Sequence, residues 1–232
     1  NLRINRLKKI SISLLNLNQC CFIFNGLNLY ELKSKSLFLK KFYRFSQYKL
    51  SLNFKIMKSN IGLVIEEKPA DIGNFLVGRL LPFREKRAVG PFVFIDHMGP
   101  AALKDYQNMD VPPHPYIGLS TLTYLFEGSI QHKDSLGSDI EIKPGAVNFM
   151  TSGKGVVHSE RTPEYLRTTD KNLHGFQIWI GLPKHIEQSE PTFHHTEADE
   201  IPTWEENGIH YKLIAGELLN HKSPVPTHSK LF

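Results

Sequence analysis

The chain has 232 residues, 41% of them hydrophobic, which is enough for one large domain or two small ones with a sizeable core. Its formal net charge of +5 is unevenly distributed: residues 1–56 carry 11 basic side chains and one acid, whereas residues 57–232 carry 17 basic and 22 acidic side chains. The larger part is therefore mildly acidic, which argues against a nucleic-acid-binding surface on it.

The first 56 residues also differ from the remainder in residue types. All 14 prolines and all 11 histidines follow Met57, which is the first methionine, while Cys20 and Cys21 precede it. We interpret residues 1–56 as a non-native or disordered basic extension, with the natural start at Met57. Two alternatives remain open: a basic targeting or membrane-surface segment, and a helical extension.

Residues 57–232 contain neither a membrane-spanning pattern nor a disulfide framework. No apolar run approaches the roughly 18–20 residues that cross a bilayer, and this part of the sequence contains no cysteine. We therefore expect a cytoplasmic protein without membrane association.

After Met57 the pattern is one of short strands between turns. Glycines and prolines separate β-branched and aromatic runs at a spacing of about ten residues, which is typical of an antiparallel sandwich or barrel. The predicted strands cover residues 92–97, 119–128, 129–134, 140–145, 146–150, 153–160, 174–182 and 209–218. The polar, proline-punctuated residues 182–204 are predicted to form a loop with one helical turn, which leaves His194 and His195 in solvent.

Two pairs of ligand-type residues stand out on the predicted strands. His114 and Tyr116 are two residues apart, as are His158 and Glu160. Residues i and i+2 of a strand share a face, so the four side chains converge if the two strands are neighbours. Histidine with carboxylate and open positions suits Fe(II), and also Mn, Ni or Cu. Taken alone, a His-x-Glu pair is more often solvated surface.

Four stretches of the sequence resemble the pirin family of the cupin superfamily, in order and at the expected separations. They are RAVGPFVFIDHMGP, HPYIGLSTLTYLFEG, HKDSLGSDIEIKPGAVNFMTSGKGVVHSERTP and LHGFQIWIGLP. The resemblance implies an all-β, cupin-type double-stranded β-helix, which is a jelly-roll-like barrel. Pirins have two such barrels, so it predicts an N-terminal barrel at 57–215 and, at 216–232, the start of a connector to a missing second barrel.

The resemblance also implies a site and an activity. The family holds a metal, usually iron, through three histidines and a glutamate, and these positions fall on His114, Tyr116, His158 and Glu160. It implies one divalent transition metal, most often Fe(II), with Mn, Ni, Cu or Zn as alternatives. Some pirins resemble quercetin 2,3-dioxygenases, which implies a flavonol-like substrate and O₂. In such a site the metal acts as Lewis acid and template, and Glu160 is the candidate general base.

Tyr116 departs from the family pattern, which usually has histidine there. Three outcomes are open: a phenolate ligand, a ring that leaves His114, His158 and Glu160 as the ligands, or a weakened or empty site. Pirins also include metal- or redox-dependent regulators of protein partners, so a non-catalytic regulator is the alternative function. A degenerate fragment that folds poorly is a third hypothesis, and a monomer is expected.

Several other residues have ordinary interpretations. His132 is expected to be hydrogen-bonded or exposed rather than to line the cavity, and Asp96 and His97 to end a strand. Five residues could line a flavonoid-sized pocket: Phe94, Phe149, Met150, Phe176 and Trp179. Aromatic residues at a spacing of two are more often plain barrel core.

Overall fold

The structure, a computed structural model, describes residues 11–15, 22–24 and 61–231. The backbone of β1 (Ser11–Leu15) pairs antiparallel with β2 (Phe22–Phe24) and with β3 (Ile61–Glu66). The interpretation of residues 1–56 as an extension otherwise concerns residues that lie outside the described ones, and it stays a prediction.

Within residues 61–231 the regular structure is all β, apart from two single 3₁₀ turns at Glu164–Leu166 and Lys184–Ile186. No helix of the described residues is long and apolar enough to cross a membrane. The remaining strands are β4 (Lys68–Asp71), β5 (Leu76–Leu81), β6 (Phe92–Leu103), β7 (Asp110–Tyr116), β8 (Leu119–Glu127), β9 (Ile130–Asp134), β10 (Asp139–Ile142), β11 (Val147–Thr151), β12 (Val156–Arg161), β13 (Lys171–Gly181), β14 (Thr192–Thr196), β15 (Thr203–Glu206), β16 (Ile209–Lys212), β17 (Glu217–Leu218) and β18 (His221–Lys222).

Two antiparallel sheets form the body of the barrel. The larger has seven strands in the order β14-β11-β8-β13-β6-β5-β4, and the smaller has four in the order β10-β9-β12-β7. Hydrogen bonds from Thr123 of β8 and Gln177 of β13 to Glu160 of β12 join the two sheets across the interior. The predicted all-β, cupin-type barrel is confirmed.

The seven-stranded sheet buries apolar side chains on both faces. One core cluster, which includes Met98, Leu125 and Ile130, fills one end of the interior between the sheets. The second, which includes Ile95, Leu122 and Phe176, lies on the outer face, where Val225 and Leu231 of the last described segment cover it. Apolar burial on both faces favours folding and leaves a polar zone in the remaining part of the barrel interior.

Two sequence predictions about local structure were wrong. Strand β6 does not end at His97 but continues to Leu103, so Asp96 and His97 are buried in mid-strand rather than at a turn. Residues 192–196 form a strand paired with β11, because their side chains alternate between exposed and covered positions at the sheet edge. His194 is exposed as expected, whereas His195 is half-buried and lies 2.7 Å from Asn148 Oδ1. The single 3₁₀ turn at Lys184–Ile186 matches the predicted helical turn.

Candidate metal centre

The strands that carry the two predicted pairs are antiparallel neighbours. In the register of β12 with β7, His158 lies directly opposite His114, and Tyr116 lies opposite Val156. A register shift between His158 and Glu160 accompanies this pairing. The chain reaches β12 through the tight turn after β11, where Gly153 has φ of 47° and its Cα lies against the backbone of Ser189. The two predicted pairs, His114 with Tyr116 and His158 with Glu160, therefore lie on neighbouring strands.

The other neighbour of β12 adds two residues that the sequence did not assign. In the register of β12 with β9, His132 lies opposite Glu160 and Asp134 lies opposite His158. His132 and His158 are only 2% and 1% exposed, so both imidazoles are removed from water. His132 is hydrogen-bonded as predicted, but it is not exposed, and it borders the candidate site.

Hydrogen bonds link these histidines in a chain. Asp134 Oδ2 lies 3.0 Å from His132 Nε2, so that nitrogen carries the proton and His132 Nδ1 carries a lone pair. His158 Nδ1 lies 3.5 Å from His132 Nδ1, and His158 Nε2 lies closer to His114, so the proton of His158 has an acceptor on either side. Burial raises the pKa of Asp134, but hydrogen bonds from His132 and Ser138 outweigh it and bring this pKa below its ordinary value.

His114 is fixed from the other side by the backbone. Its Nδ1 lies 2.8 Å from the carbonyl oxygen of Pro112, which can only accept, so the lone pair of His114 is on Nε2. The Nε2 atoms of His114 and His158 are 3.1 Å apart. His114 Nε2 accepts a hydrogen bond here when His158 carries its proton on Nε2, and both nitrogens are free to bind a cation when His158 carries it on Nδ1. Neutral imidazole nitrogens are common metal ligands.

The carboxylate of Glu160 is held by the opposite sheet. Gln177 Nε2 donates to Oε1 at 2.9 Å and to Oε2 at 2.7 Å, and Thr123 Oγ1 lies 3.1 Å from Oε1. Thr123 Oγ1 also lies 3.0 Å from Gln177 Oε1, so the three side chains form a closed network. Glu160 is 8% exposed, and this network fixes its orientation without a cationic partner.

The structure contains two overlapping sets of candidate ligands. His132, His158 and Glu160 offer ligand atoms that all lie within 4.8 Å of one another. The second set pairs His158 with His114, whose Nε2 atoms are 3.1 Å apart. Because Asp134 and His158 both engage the ring of His132, we assign His132 the role of orienting His158. Metal-bound histidines commonly have such a carboxylate-linked partner.

Burial keeps His158 in the form that binds a metal. Burial, aided by the neighbouring His114 and His132 and opposed by Glu160 and Asp134, lowers the pKa of His158 to about 4. The ring is therefore neutral near pH 7, and no proton has to leave before a metal binds to Nε2.

Tyr116 lies beside this pair of histidines rather than among the closest donors. Its ring centroid is 5.0 Å from that of His114, 5.1 Å from that of His158 and 5.0 Å from that of Trp179. Burial, followed by the charges of Glu160 and Asp96, raises the pKa of Tyr116. A neutral phenol is a poor ligand, so the surroundings oppose phenolate coordination and favour the set without Tyr116.

Three of the five candidate pocket residues lie on the inner face: Phe94, Trp179 and Met150, which is opposite Thr121 in the register of β11 with β8. Trp179 stacks on Phe94 with centroids 3.9 Å apart, and its other contact is Tyr116. The indole Nε1 of Trp179 is buried without a hydrogen-bond partner. Phe149 and Phe176 instead belong to the outer core cluster, as the ordinary interpretation of alternating aromatics predicted.

Asp96 lies on the same face of β6 as Phe94 and does not carry a free charge. Arg79 Nε and Nη2 donate to its two carboxylate oxygens at 2.8 Å each. Burial raises the pKa of Asp96, and this ion pair opposes the shift. Asp96 is therefore an ion-paired residue in the wall of the barrel, in register with Gln177, and not a further candidate metal ligand.

An antiparallel barrel with a buried histidine–histidine–glutamate group defines the class: this is a cupin-type protein with a candidate metal centre. Comparison with known proteins narrows the class. The family model described as Pirin matches residues 74–180. The chain is 52% identical over 175 residues to a Pirin-like protein of Caulobacter vibrioides. The aligned region covers 74% of this chain and 60% of the relative. It belongs to the pirin family.

Two further relatives agree with this placement. Pirin-like protein 2 of Arabidopsis thaliana is 33% identical, over 66% of this chain and 44% of its own length. The crystal structure of a quercetin 2,3-dioxygenase from Acinetobacter baumannii superposes with a TM-score of 0.65 at 40% identity, over 70% of this chain and 52% of that one. The chain thus spans about half to three fifths of the length of these proteins.

Proposed function

We propose that this chain binds one divalent transition metal in the barrel and supports O₂-dependent cleavage of a flavonol-like ring, as a quercetin 2,3-dioxygenase does. The observation that carries the proposal is the buried group of His132, His158 and Glu160, whose ligand atoms lie within 4.8 Å of one another, with His114 Nε2 3.1 Å from His158 Nε2. The similarity to an enzyme of that name at 40% identity supports the choice of reaction.

The residues that would hold the metal are His114, His158 and Glu160. Two imidazoles and one carboxylate with open positions suit Fe(II) best among the available ions, while Mn, Ni, Cu and Zn remain alternatives to be separated by analysis. When bound, the ion supplies Lewis acidity and a template for the substrate oxygens.

The other side chains have roles that follow from their contacts. Gln177 and Thr123 hold Glu160 in one orientation. In the proposal Glu160 accepts the proton of a substrate hydroxyl when it ligates the metal only loosely. Trp179 and Phe94 offer a stacked aromatic wall next to Tyr116, which suits a planar aromatic substrate. The unpartnered Nε1–H of Trp179 is a donor for a substrate oxygen once Tyr116 moves aside.

The test is aerobic turnover of quercetin by the Fe(II)-loaded chain, followed by loss of the flavonol absorbance. We expect turnover and one metal per barrel site, and loss of both in His158→Ala. His185→Ala is the matched control, because His185 is exposed on a 3₁₀ turn and contacts none of the site residues named above. Absence of both turnover and metal in the unaltered chain contradicts the proposal.

A second candidate is a non-catalytic regulator whose partner binding depends on metal or redox state. The observation in its favour is the position of Tyr116, whose ring packs against both His114 and His158 and narrows access to them. A protein pull-down that changes with metal or redox state, from a chain without dioxygenase activity, distinguishes it from the enzyme.

The proposal places this activity in a cytoplasmic monomer. It retains the proposed first barrel at 57–215 and the proposed connector at 216–232.

A further inference from the structure

A second histidine cluster lies on the other side of the seven-stranded sheet. Residues of a strand alternate between faces, so His97 of β6 points away from the interior while its neighbour Asp96 points inward. His97 is 1% exposed and stacks on Phe176 of the outer core at a centroid distance of 4.9 Å. His174 of β13 is half-buried beside it, with Phe126 at 4.6 Å. This outer pair is separate from the barrel site.

A carboxylate orients His97. Glu67 Oε2 lies 3.0 Å from His97 Nδ1, so Nδ1 carries the proton and Nε2 carries a lone pair. Gly78, opposite His97 in the register, makes room for this carboxylate, because a Cβ at residue 78 would lie 2.3 Å from Glu67 Oε2. The glutamate side chain is 12% exposed. A buried imidazole that donates to a carboxylate is the arrangement that commonly supports a metal-bound histidine.

The free nitrogen of His97 faces the second imidazole. The Nε2 atoms of His97 and His174 are 3.0 Å apart. Two nitrogens bound to one ion at about 2.0–2.1 Å lie about 2.9 Å apart at a right angle and about 3.3 Å apart at the tetrahedral angle. The observed separation falls in this range, so an ion requires movements of only a few tenths of an ångström.

The surroundings of His174 favour its neutral form and include one nearby carboxylate. Burial, followed by the neighbouring His97, lowers the pKa of His174, while the charge of Glu127 opposes the shift. Glu127 is opposite His174 in the register of β13 with β8, and it is exposed, so its carboxylate is free to rotate. In the described residues Glu127 does not yet converge with the two histidines as a third donor.

We propose that His97 and His174 form a second divalent-metal site of the zinc type, supported by Glu67 behind His97 and completed by Glu127 and water. Both rings stay neutral on binding, because the proton on His174 Nε2 moves to His174 Nδ1 and leaves an Nε2 lone pair on each ring for the ion. This proposal does not depend on the proposed dioxygenase activity.

Zinc stoichiometry in a two-by-two set of variants tests it. We expect two Zn²⁺ ions in the unaltered chain at equilibrium dialysis, one in His158→Ala, one in His174→Gln and none in the double variant. Zinc bound to His158→Ala but not to His174→Gln supports the outer site and contradicts the barrel site. No zinc in His158→Ala overturns the outer site and leaves a plain hydrogen bond between His97 and His174.

Two further variants separate ligand loss from structural damage. Glu67→Gln in the His158→Ala background is expected to weaken zinc binding about 10–100-fold, because it replaces the charged carboxylate acceptor behind His97 by a neutral amide of similar shape. His185→Gln in the same background is the matched surface control and is expected to change nothing. Unchanged zinc affinity in Glu67→Gln contradicts the proposed arrangement. Thermal melts of each variant check that the fold is retained.

Discussion

The inner and outer histidine clusters are built from the same parts but end differently. Inside the barrel, Asp134 orients His132, and His158 lies between His132 and His114 with the buried carboxylate of Glu160 close to it. On the outer face, Glu67 orients His97, whose lone pair faces a nitrogen of His174 that is free to carry a proton. The inner run thus includes a converging carboxylate, whereas in the described residues the outer run does not.

The difference shows that counting ligand-type residues does not identify a metal centre. The tautomer that each neighbour imposes decides whether two imidazoles repel or hydrogen-bond. Glu160 adds a buried carboxylate to the inner cluster only, since Glu127 remains exposed in the outer one. We therefore expect the inner site to bind metal more tightly than the outer site.

The largest expected effect is the loss of inner-site metal in His158→Ala. This variant removes the ligand nitrogen Nε2 of His158, so we expect at least about a 100-fold loss of metal affinity at this site. Competitive metal titration measures it, and His174→Gln serves as the comparison because it leaves the inner cluster intact. Equal losses in the two variants would remove the distinction between the clusters.

Replacing the orienting residue is expected to have a smaller effect. His132→Gln keeps a donor towards Asp134 but no longer fixes the ring of His158, so we expect about a 10–100-fold weaker inner site. Complete loss of metal would instead identify His132 as a ligand in the set that lies within 4.8 Å. The same titration separates the two outcomes, and His194→Gln, at an exposed histidine of β14, is the control.

Acid titration of the metal-free chain distinguishes the clusters by stability. Histidine in an unfolded chain takes up a proton near pH 6.5, whereas folded His158 stays neutral down to about 4. The unfolded state thus binds more protons in this window, and stability falls as the pH falls through it, by about 1–3 kcal/mol for His158. Urea unfolding should show a flatter pH dependence in His158→Asn than in His174→Asn. Equal slopes in both variants contradict the stronger burial of His158.

The smallest expected effect concerns the support of Glu160. Thr123→Val removes one hydrogen bond from the carboxylate but leaves Gln177 in place, so we expect a loss of about 1 kcal/mol in the free energy of unfolding. Thr121→Val is the matched control, since Thr121 is also buried on the inner face of β8, two residues earlier. A smaller loss for Thr123→Val than for Thr121→Val would show that the network does not support Glu160.

Periodicity predicted an antiparallel sandwich or barrel and the two same-face pairs of residues, and the resemblance to pirins specified the cupin type. Spacing of two along a strand placed His114 with Tyr116 and His158 with Glu160, and resemblance indicated that β7 and β12 belong to one site. The same rule applied to His132 and Asp134 gave a usable signal that was missed, since they share a face of β9 and form one hydrogen bond.

Other contacts lay beyond sequence reasoning because they cross between sheets or span long separations. Gln177 meets Glu160 across the barrel interior, and His174 meets His97 from 77 residues away. Neither contact follows from periodicity, which fixes the face of a residue but not its partner on another strand. The strand at 192–196 was missed because its polar composition matches that of a loop.

The most direct test of the central claim is metal content of two proteins that lack the outer site. His174→Gln and the double variant His174→Gln/Tyr116→His are purified, loaded with Fe(II) and analysed for bound metal. The account predicts one ion in both, because His114, His158 and Glu160 suffice and the histidine at 116 only tightens binding. One ion in the double variant and none in the single variant would contradict it.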